Sequence, residues 1–249
     1  MKIFILMVLL SITNIANAFN TYEFGTLLGY PEFAENENIP TWGVDNRLGD
    51  AASISYSFAE SDSLCGSSTC FSLDGLMPSG YQDVISSAFD AWASVSDLSF
   101  TQVTDQTGDI VIDGALWEQE ENFIQLGYGG FEATYFSNGF ETISYISSGF
   151  LYFNEDESWS LDNSETPLFD VALHEIGHAL GLDHSDDPTA LMYYKYTGTN
   201  SLQADDIAGI QFLYGASTVS PVPEPSTYLM FLLGLAMMAG MGRRAINRS

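Results

Sequence analysis

Residues 174 to 184, HEIGHALGLDH, decide the fold of this chain and contain all three of its histidines. Side chains four residues apart lie one above the other on a helix. His174 and His178 can therefore offer two imidazole nitrogens to a single metal ion, with Glu175 beside them. The pattern predicts a helix that carries two metal ligands on one face.

A sharp turn after this helix supplies the third ligand. Gly181 can end the helix, because glycine accepts a left-handed backbone conformation, and the chain then brings His184 back toward the other two histidines. Three neutral imidazoles hold zinc at about 2.0 to 2.1 Å and leave one position open for water, as in catalytic sites. We predict one catalytic zinc ion, with Glu175 as the general base. The alternative, an ordinary amphipathic helix that happens to contain histidines, does not account for three in register.

The first 18 residues have the pattern of a secretory signal peptide. Met1-Lys2 is followed by an apolar run at 3–10 and by the small-residue cleavage site Ala16-Asn17-Ala18. An uncleaved N-terminal anchor is the alternative, and the short apolar run argues against it. We predict export, with residues 19–52 as an irregular extension at the start of the mature chain.

The other end of the chain carries a second apolar segment. A linker at 216–225 contains Pro223-Glu224-Pro225, and the segment 226–249 has an apolar stretch at 228–242 that is followed by three arginines, Arg243, Arg244 and Arg248. This pattern resembles the PEP-CTERM sorting tail of Gram-negative bacteria that make exopolysaccharide. The resemblance implies a transmembrane segment that anchors the chain transiently, cleavage by an exosortase-like enzyme, and a final location at the cell surface or outside the cell. About 15 apolar residues are fewer than the about 20 of a full span, and a permanent anchor is the alternative.

The chain is strongly acidic, with a formal net charge of -27 at pH 7. Of the six Lys and Arg residues, only Arg47 and Lys195 lie outside the terminal segments, whereas the chain has 33 Asp and Glu residues. Nucleic acid and anionic membrane surfaces are therefore poor partners for this central region, because it has no basic patch to neutralise their phosphates, and we expect no nucleic-acid binding. We expect a soluble monomer, since like charges on its surface repel other copies.

The two cysteines of the chain, Cys65 and Cys70, lie five positions apart. In an exported protein this pair predicts a disulfide that closes a small loop. Two thiolates on a second zinc ion are the alternative, which lacks histidines to complete the ligand set.

Hydrophobic periodicity predicts a mixed α/β domain over residues 53–215. The predicted strands lie at 53–58, 98–103, 109–113 and 150–153, and the predicted helices at 81–95, from 166 onward and at 203–214. Residues 114–148 are expected to include an edge strand and the upper rim of a cleft. Asp170 lies in the first turn of the histidine-bearing helix, where a carboxylate interacts favourably with the helix dipole.

Carboxylate and amide oxygens at the ends of the predicted strands suit calcium. The candidate calcium ligands are Asp109, Asn154, Asp156 and Glu157. For the turn at 154–157 the alternative is a solvated acidic turn.

Residues 174–215 resemble the metzincin metallopeptidases and, among them, the matrixins. Residues 184–193 are similar to the family's passage from the third zinc ligand into the Met-turn, the turn at residues 190–193 that contains Met192. Residues 205–215 are similar to its last helix. The resemblance implies a twisted, mostly parallel five-stranded sheet with one antiparallel edge strand, an active-site helix and a C-terminal helix. Met192 would pack beneath the zinc ligands.

The function implied is that of a secreted zinc-dependent endopeptidase, in which Glu175 helps a zinc-activated water attack a peptide carbonyl. The alternative is a non-catalytic surface or biofilm-matrix binding protein that uses the same fold. The presence of Glu175 argues against this alternative, because a binding module needs no general base there.

The sequence also departs from the matrixin pattern. No histidines remain for the family's second, structural zinc ion, and Tyr152 stands where one of its ligands is expected. Asn154 replaces an aspartate expected near calcium. Tyr194 stands two residues past Met192, an offset at which astacins and serralysins have a tyrosine that can approach the zinc. The alternative for Tyr194 is a residue that packs at the cleft rim.

Overall fold

The strands and helices form one mixed α/β unit that ends at Ser217. The computed structural model describes residues 39–43, 47–59, 64–65, 68–104, 107–116, 125–137, 142–162 and 164–218. In chain order the elements are β1 Ala52–Phe58, β2 Leu64–Cys65, β3 Ser68–Phe71, α1 Tyr81–Val95, β4 Leu98–Gln102, β5 Ile110–Ala115, β6 Gly127–Ser137, β7 Thr142–Asn154, β8 Trp159–Ser160, β9 Thr166–Pro167, α2 Leu168–Ala179 and α3 Ala204–Tyr214.

The central sheet has the predicted topology. Strands β4, β1, β5 and β7 run parallel in that order, and β6 pairs antiparallel with β7 at the edge. A short hairpin, β2–β3, adds antiparallel pairs at the end of β5 and was not predicted. The prediction of a mostly parallel five-stranded sheet with one antiparallel edge strand is therefore confirmed.

Strand β7 is much longer than the predicted strand at 150–153. It begins at Thr142 and pairs with β6 along its length, with a register shift between Glu132 and Ala133. Its first half is rich in serine and lacks a clean alternation of apolar and polar residues. Backbone pairing with the neighbouring strands extends β7 there, and a local pattern does not report such pairing.

Helix α2, which carries the first two histidines, is fixed from three sides. Fully buried Trp92 of α1 donates its indole N–H to the Leu173 carbonyl at 2.9 Å. At the other end, Trp42 donates its indole N–H to the Ala179 carbonyl at 2.9 Å, and the Tyr214 hydroxyl of α3 donates to the Leu180 carbonyl at 2.6 Å. Trp42 and Tyr214 thereby satisfy carbonyl groups that the C-terminal end of the helix leaves without intrahelical partners, and Trp92 adds a second hydrogen bond to a carbonyl in the middle of the helix.

The turn after α2 forms as predicted at Gly181. Its φ of +104° is in the left-handed region, which favours glycine. Gly181 donates its N–H to the His178 carbonyl, and Leu182 donates to the Gly177 carbonyl, each at 3.0 Å. The second of these bonds spans five residues and closes the helix as a Schellman motif does.

Several predictions fall wholly or mainly outside the described residues. They are the signal peptide at 1–18, most of the extension at 19–52, the linker and the apolar tail. Within the part of the chain that the structure covers, no helix is long and apolar enough to cross a membrane. The predicted disulfide involves Cys65 and Cys70, whose side chains also lie outside the described set. From the extension, Trp42 packs into the hydrophobic core.

Tyr214→Phe is expected to lower the free energy of unfolding by about 1 to 3 kcal/mol. The change leaves the buried Leu180 carbonyl and the Trp42 backbone N–H without the hydroxyl that both contact. Urea unfolding followed by tryptophan fluorescence measures the difference. Tyr145→Phe is the matched control, because Tyr145 is exposed and its change should stay within about 0.5 kcal/mol. Equal effects of the two substitutions would contradict the role assigned to the Tyr214 hydroxyl.

Candidate metal centre and cleft

The three histidines converge on one point. Nε2 of His178 lies 3.2 Å from Nε2 of His174 and 3.3 Å from Nε2 of His184. Nitrogen ligands arranged tetrahedrally at about 2.0 to 2.1 Å from zinc lie roughly 3.3 Å from one another. These two distances therefore fit a tetrahedral zinc ion, and the ligand atoms of all three histidines lie within 4.8 Å of one another. Within the described part of the chain, these histidines are the one cluster of three or more His, Cys, Asp or Glu side chains whose ligand atoms lie close together.

Backbone carbonyls orient two of the imidazole rings. Nδ1 of His174 lies 2.8 Å from the Leu191 carbonyl, and Nδ1 of His178 lies 2.8 Å from the Leu182 carbonyl. A carbonyl only accepts, so both Nδ1 atoms carry the hydrogen and donate it. The Nε2 atoms then present lone pairs, which is the tautomer that binds a metal.

Burial keeps the three rings in the neutral form that ligates metals. Desolvation lowers the pKa of His174 and His184, and lowers that of His178 well below its ordinary value. Neutral imidazoles with converging lone pairs are an assembled ligand set.

Glu175 lies beside the cluster and is almost fully buried. Its Oε2 accepts a hydrogen bond from the backbone N–H of Gly129 in β6 at 2.6 Å. Burial raises the pKa of Glu175, although His174 and the Gly129 N–H act in the opposite direction. The edge strand therefore fixes one carboxylate oxygen and leaves the other for a reacting group.

Two glycines allow β6 to approach α2 this closely. A Cβ at Gly129 would overlap the backbone carbonyl of Glu175, and a Cβ at Gly127 would lie 2.8 Å from its Cγ. Any larger residue at Gly129 would push the edge strand away from the helix.

Met192 and Asp206 support the cluster from the side of the Met-turn. The thioether of Met192 packs directly against Gly177, which lies between the two helical histidines. The Asp206 carboxylate in α3 accepts the backbone N–H groups of Leu191 and Met192, both at 2.9 Å. Because the Leu191 carbonyl accepts from His174, Asp206 positions that ring through the backbone of the turn.

A cavity of about 560 Å³ opens beside the histidines. Its walls come from the start of β6, from α2 and from the segment 191–199. Tyr194 lines the cavity with 56 % of its surface exposed, and its ring lies 4.6 Å from that of Tyr193. The approach of Tyr194 to a zinc ion stays a prediction.

The candidate calcium ligands do not form one site. Asp109 precedes β5 and accepts the backbone N–H and the hydroxyl of Ser55 at 2.8 and 2.6 Å. Asn154 pairs with Ala115, the last residue of β5, which follows Asp109 by six residues and therefore lies about 20 Å from it at 3.3 Å per strand residue. Asp109 therefore lies apart from the other three candidates.

The turn at 154–157 is held by hydrogen bonds within the chain. Asn154 Oδ1 accepts the Asp156 N–H at 3.0 Å, and Glu157 accepts the Thr166 hydroxyl at 2.9 Å. Calcium binding at this turn stays a prediction. Tyr152, which the family resemblance predicts in place of a structural zinc ligand, pairs with Tyr128 in the β6–β7 ladder and stacks on Phe150 at 5.0 Å.

The positions of Gly129, Asp206 and Asp170 in the site were not foreseen from the sequence. Gly129 meets Glu175 across 46 positions, and Asp206 meets Leu191 across 15. Asp170 lines the cavity in addition to occupying the first turn of α2. Such contacts between distant elements leave no local pattern.

Comparisons with known proteins agree with this geometry. The family model described as Matrixin matches residues 71–215, and the PEP-CTERM protein-sorting motif matches residues 221–246. The chain is 42% identical to macrophage metalloelastase of Oryctolagus cuniculus over 146 residues, which are 57% of this chain and 30% of that protein. It is 42% identical to interstitial collagenase of Sus scrofa over 144 residues, 57% of this chain and 29% of the relative. It is 38% identical to matrix metalloproteinase-18 of Xenopus laevis over 151 residues, which are 59% of this chain and 31% of that protein.

The matches therefore span less than a third of the length of these relatives. The Matrixin model, by contrast, covers more than half of the 249 residues and includes the histidine cluster, Glu175 and Met192. The chain belongs to the matrixin family.

Proposed function

We propose that this protein is a zinc-dependent endopeptidase that hydrolyses internal peptide bonds outside the cytoplasm. The observation that carries the proposal is the set of three imidazole Nε2 atoms, spaced for one tetrahedral ion, beside the buried carboxylate of Glu175. Membership of the matrixin family and the similarity to a metalloelastase and a collagenase support it. The cavity beside the histidines has room for a side chain of a peptide substrate.

His174, His178 and His184 would hold the zinc ion. Bound there, zinc supplies a Lewis acid that polarises water and a peptide carbonyl. Glu175 accepts a proton from the attacking water and returns it to the amine that leaves. The Gly129 N–H holds one oxygen of Glu175 during both transfers, and a raised pKa strengthens the carboxylate as a base.

In this proposal the terminal segments of the chain determine its cellular location. The sorting motif at 221–246 supports export and handling by an exosortase-like enzyme at the membrane. In this scheme residues 1–18 are a signal peptide, 53–215 the catalytic domain, 216–225 a linker and 226–249 a transient transmembrane anchor. Cleavage after the linker would leave the enzyme at the cell surface or in the extracellular space.

Glu175→Gln is expected to lower the rate of peptide hydrolysis by a factor of about 100 to 10,000, because the proton acceptor is lost while its shape is kept. Zinc content should remain at one ion per chain. Digestion of a mixed peptide library, followed by mass spectrometry, measures the rate. Glu165→Gln is the matched control, because Glu165 is exposed and lies away from the cavity. Hydrolysis by the Glu175 variant at the wild-type rate would contradict the role of this carboxylate.

Asp206→Asn is expected to lower zinc affinity by about 10- to 100-fold, as loss of a group that orients a metal ligand commonly does. The two carboxylate oxygens accept three backbone N–H groups, those of Leu191, Met192 and Gln203, and an amide offers them one oxygen. We therefore expect the Leu191 carbonyl to shift and His174 to lose its fixed orientation. Competition with a chromogenic chelator measures the affinity. The control is Asp90→Asn, an equal charge change at an exposed position of α1. Unchanged affinity in the Asp206 variant would show that the Met-turn does not depend on this carboxylate.

A further inference from the structure

Asp170 is a buried carboxylate at the wall of the cleft. It lines the same cavity as His174 and is only 4 % exposed. The two residues are four apart in α2, a spacing that places their Cβ atoms roughly 5 to 6 Å apart on one face of the helix. The cavity therefore has a carboxylate about one helical turn from the metal ligands.

The Asp170 carboxylate is incompletely satisfied. Its Oδ2 accepts the Tyr196 hydroxyl at 2.8 Å, and no other described residue donates to it or forms an ion pair with it. Burial raises the pKa of Asp170, and the bond from Tyr196 lowers it. A buried carboxylate with one neutral donor gains from a cationic partner, because opposite charge offsets its desolvation.

The other residues around the cavity leave room for such a partner. Among the described lining residues, Lys195 is the one Lys or Arg, and its side chain is exposed. Val171 and Leu191 provide apolar wall near the histidines. This combination suits a long side chain with an apolar stem and a cationic tip.

We propose that the cavity selects a lysine or arginine side chain of the substrate, next to the bond that is cut, by pairing its charge with Asp170. The four-carbon stem of lysine can cover the single helical turn between His174 and Asp170. Tyr196 then holds one oxygen of Asp170 while the substrate cation contacts the other. This inference rests on the proposed function, because it names the substrate class of the same site.

The test measures binding separately from cleavage. The zinc-loaded Glu175→Gln protein is mixed with a peptide library that contains lysine, arginine and their neutral analogues norleucine and citrulline at every position. Mass spectrometry identifies the peptides that are retained. Lysine over norleucine and arginine over citrulline should be enriched about tenfold at one position, as expected for one charge-assisted hydrogen bond. Equal retention of the basic residues and their neutral analogues would overturn the proposal. This comparison uses a protein in which Asp170 is unaltered, so misfolding of an Asp170 variant cannot affect it.

A second protein, Glu175→Gln with Asp170→Asn, locates the effect. In this protein the enrichment of lysine and arginine over their neutral analogues should fall to about unity. The control protein, Glu175→Gln with Asp83→Asn, should keep the enrichment of about tenfold. Asp83 is an exposed aspartate in the first turn of α1, so it controls for both net charge and the helix dipole. Enrichment that survives the Asp170 change would assign the preference to the acidic surface as a whole and overturn the proposal.

Cleavage of the same library by the wild-type protein separates this inference from the proposed function. Hydrolysis without a basic preference next to the cut bond leaves the proposed endopeptidase standing and contradicts the role of Asp170. Selective retention of basic peptides without any hydrolysis supports the role of Asp170 and contradicts the proposed endopeptidase.

Discussion

The convergence of three imidazole lone pairs is the constraint on which the rest of the structure depends. Bringing three neutral nitrogens together with their lone pairs facing one another is unfavourable, because the lone pairs repel and the nitrogens lose hydrogen bonds to water. The rings therefore stay together only if the surrounding protein fixes each of them. Backbone carbonyls of Leu182 and Leu191 do this for His178 and His174 by accepting the hydrogen at Nδ1. This arrangement would raise the affinity for zinc, because ligands that are already oriented need little reorganisation when the ion binds.

The surrounding elements are arranged to hold those rings. Trp92, Trp42 and Tyr214 fix the backbone of α2, and Asp206 fixes the turn that orients His174. On the opposite side, Gly129 lets the edge strand approach until its N–H contacts the Glu175 carboxylate. Support for the centre therefore comes from residues spread over most of the domain.

The sequence predicted the parts of this arrangement that have a local signature. The histidine spacing and Gly181 predicted the histidine-bearing helix α2 and its end, and apolar periodicity predicted the observed bounds of α1. The first part of strand β7 and the hairpin β2–β3 were missed because pairing with distant strands extends or creates them. The contacts of Gly129 with Glu175 and of Asp206 with Leu191 were missed for the same reason, since they join residues that are distant in sequence. Asp170 was assigned only a helix-dipole role, because its burial in a cavity depends on the later segment that contains Tyr196.

Zinc K-edge X-ray absorption on the purified wild-type protein tests the central claim most directly. The account predicts one zinc ion with three imidazole nitrogens and one oxygen at about 2.0 to 2.1 Å. A sulfur shell at about 2.3 Å would instead place the ion on the cysteines. That result, or a first shell with fewer than three imidazoles, would contradict the assignment of His174, His178 and His184 as the metal centre.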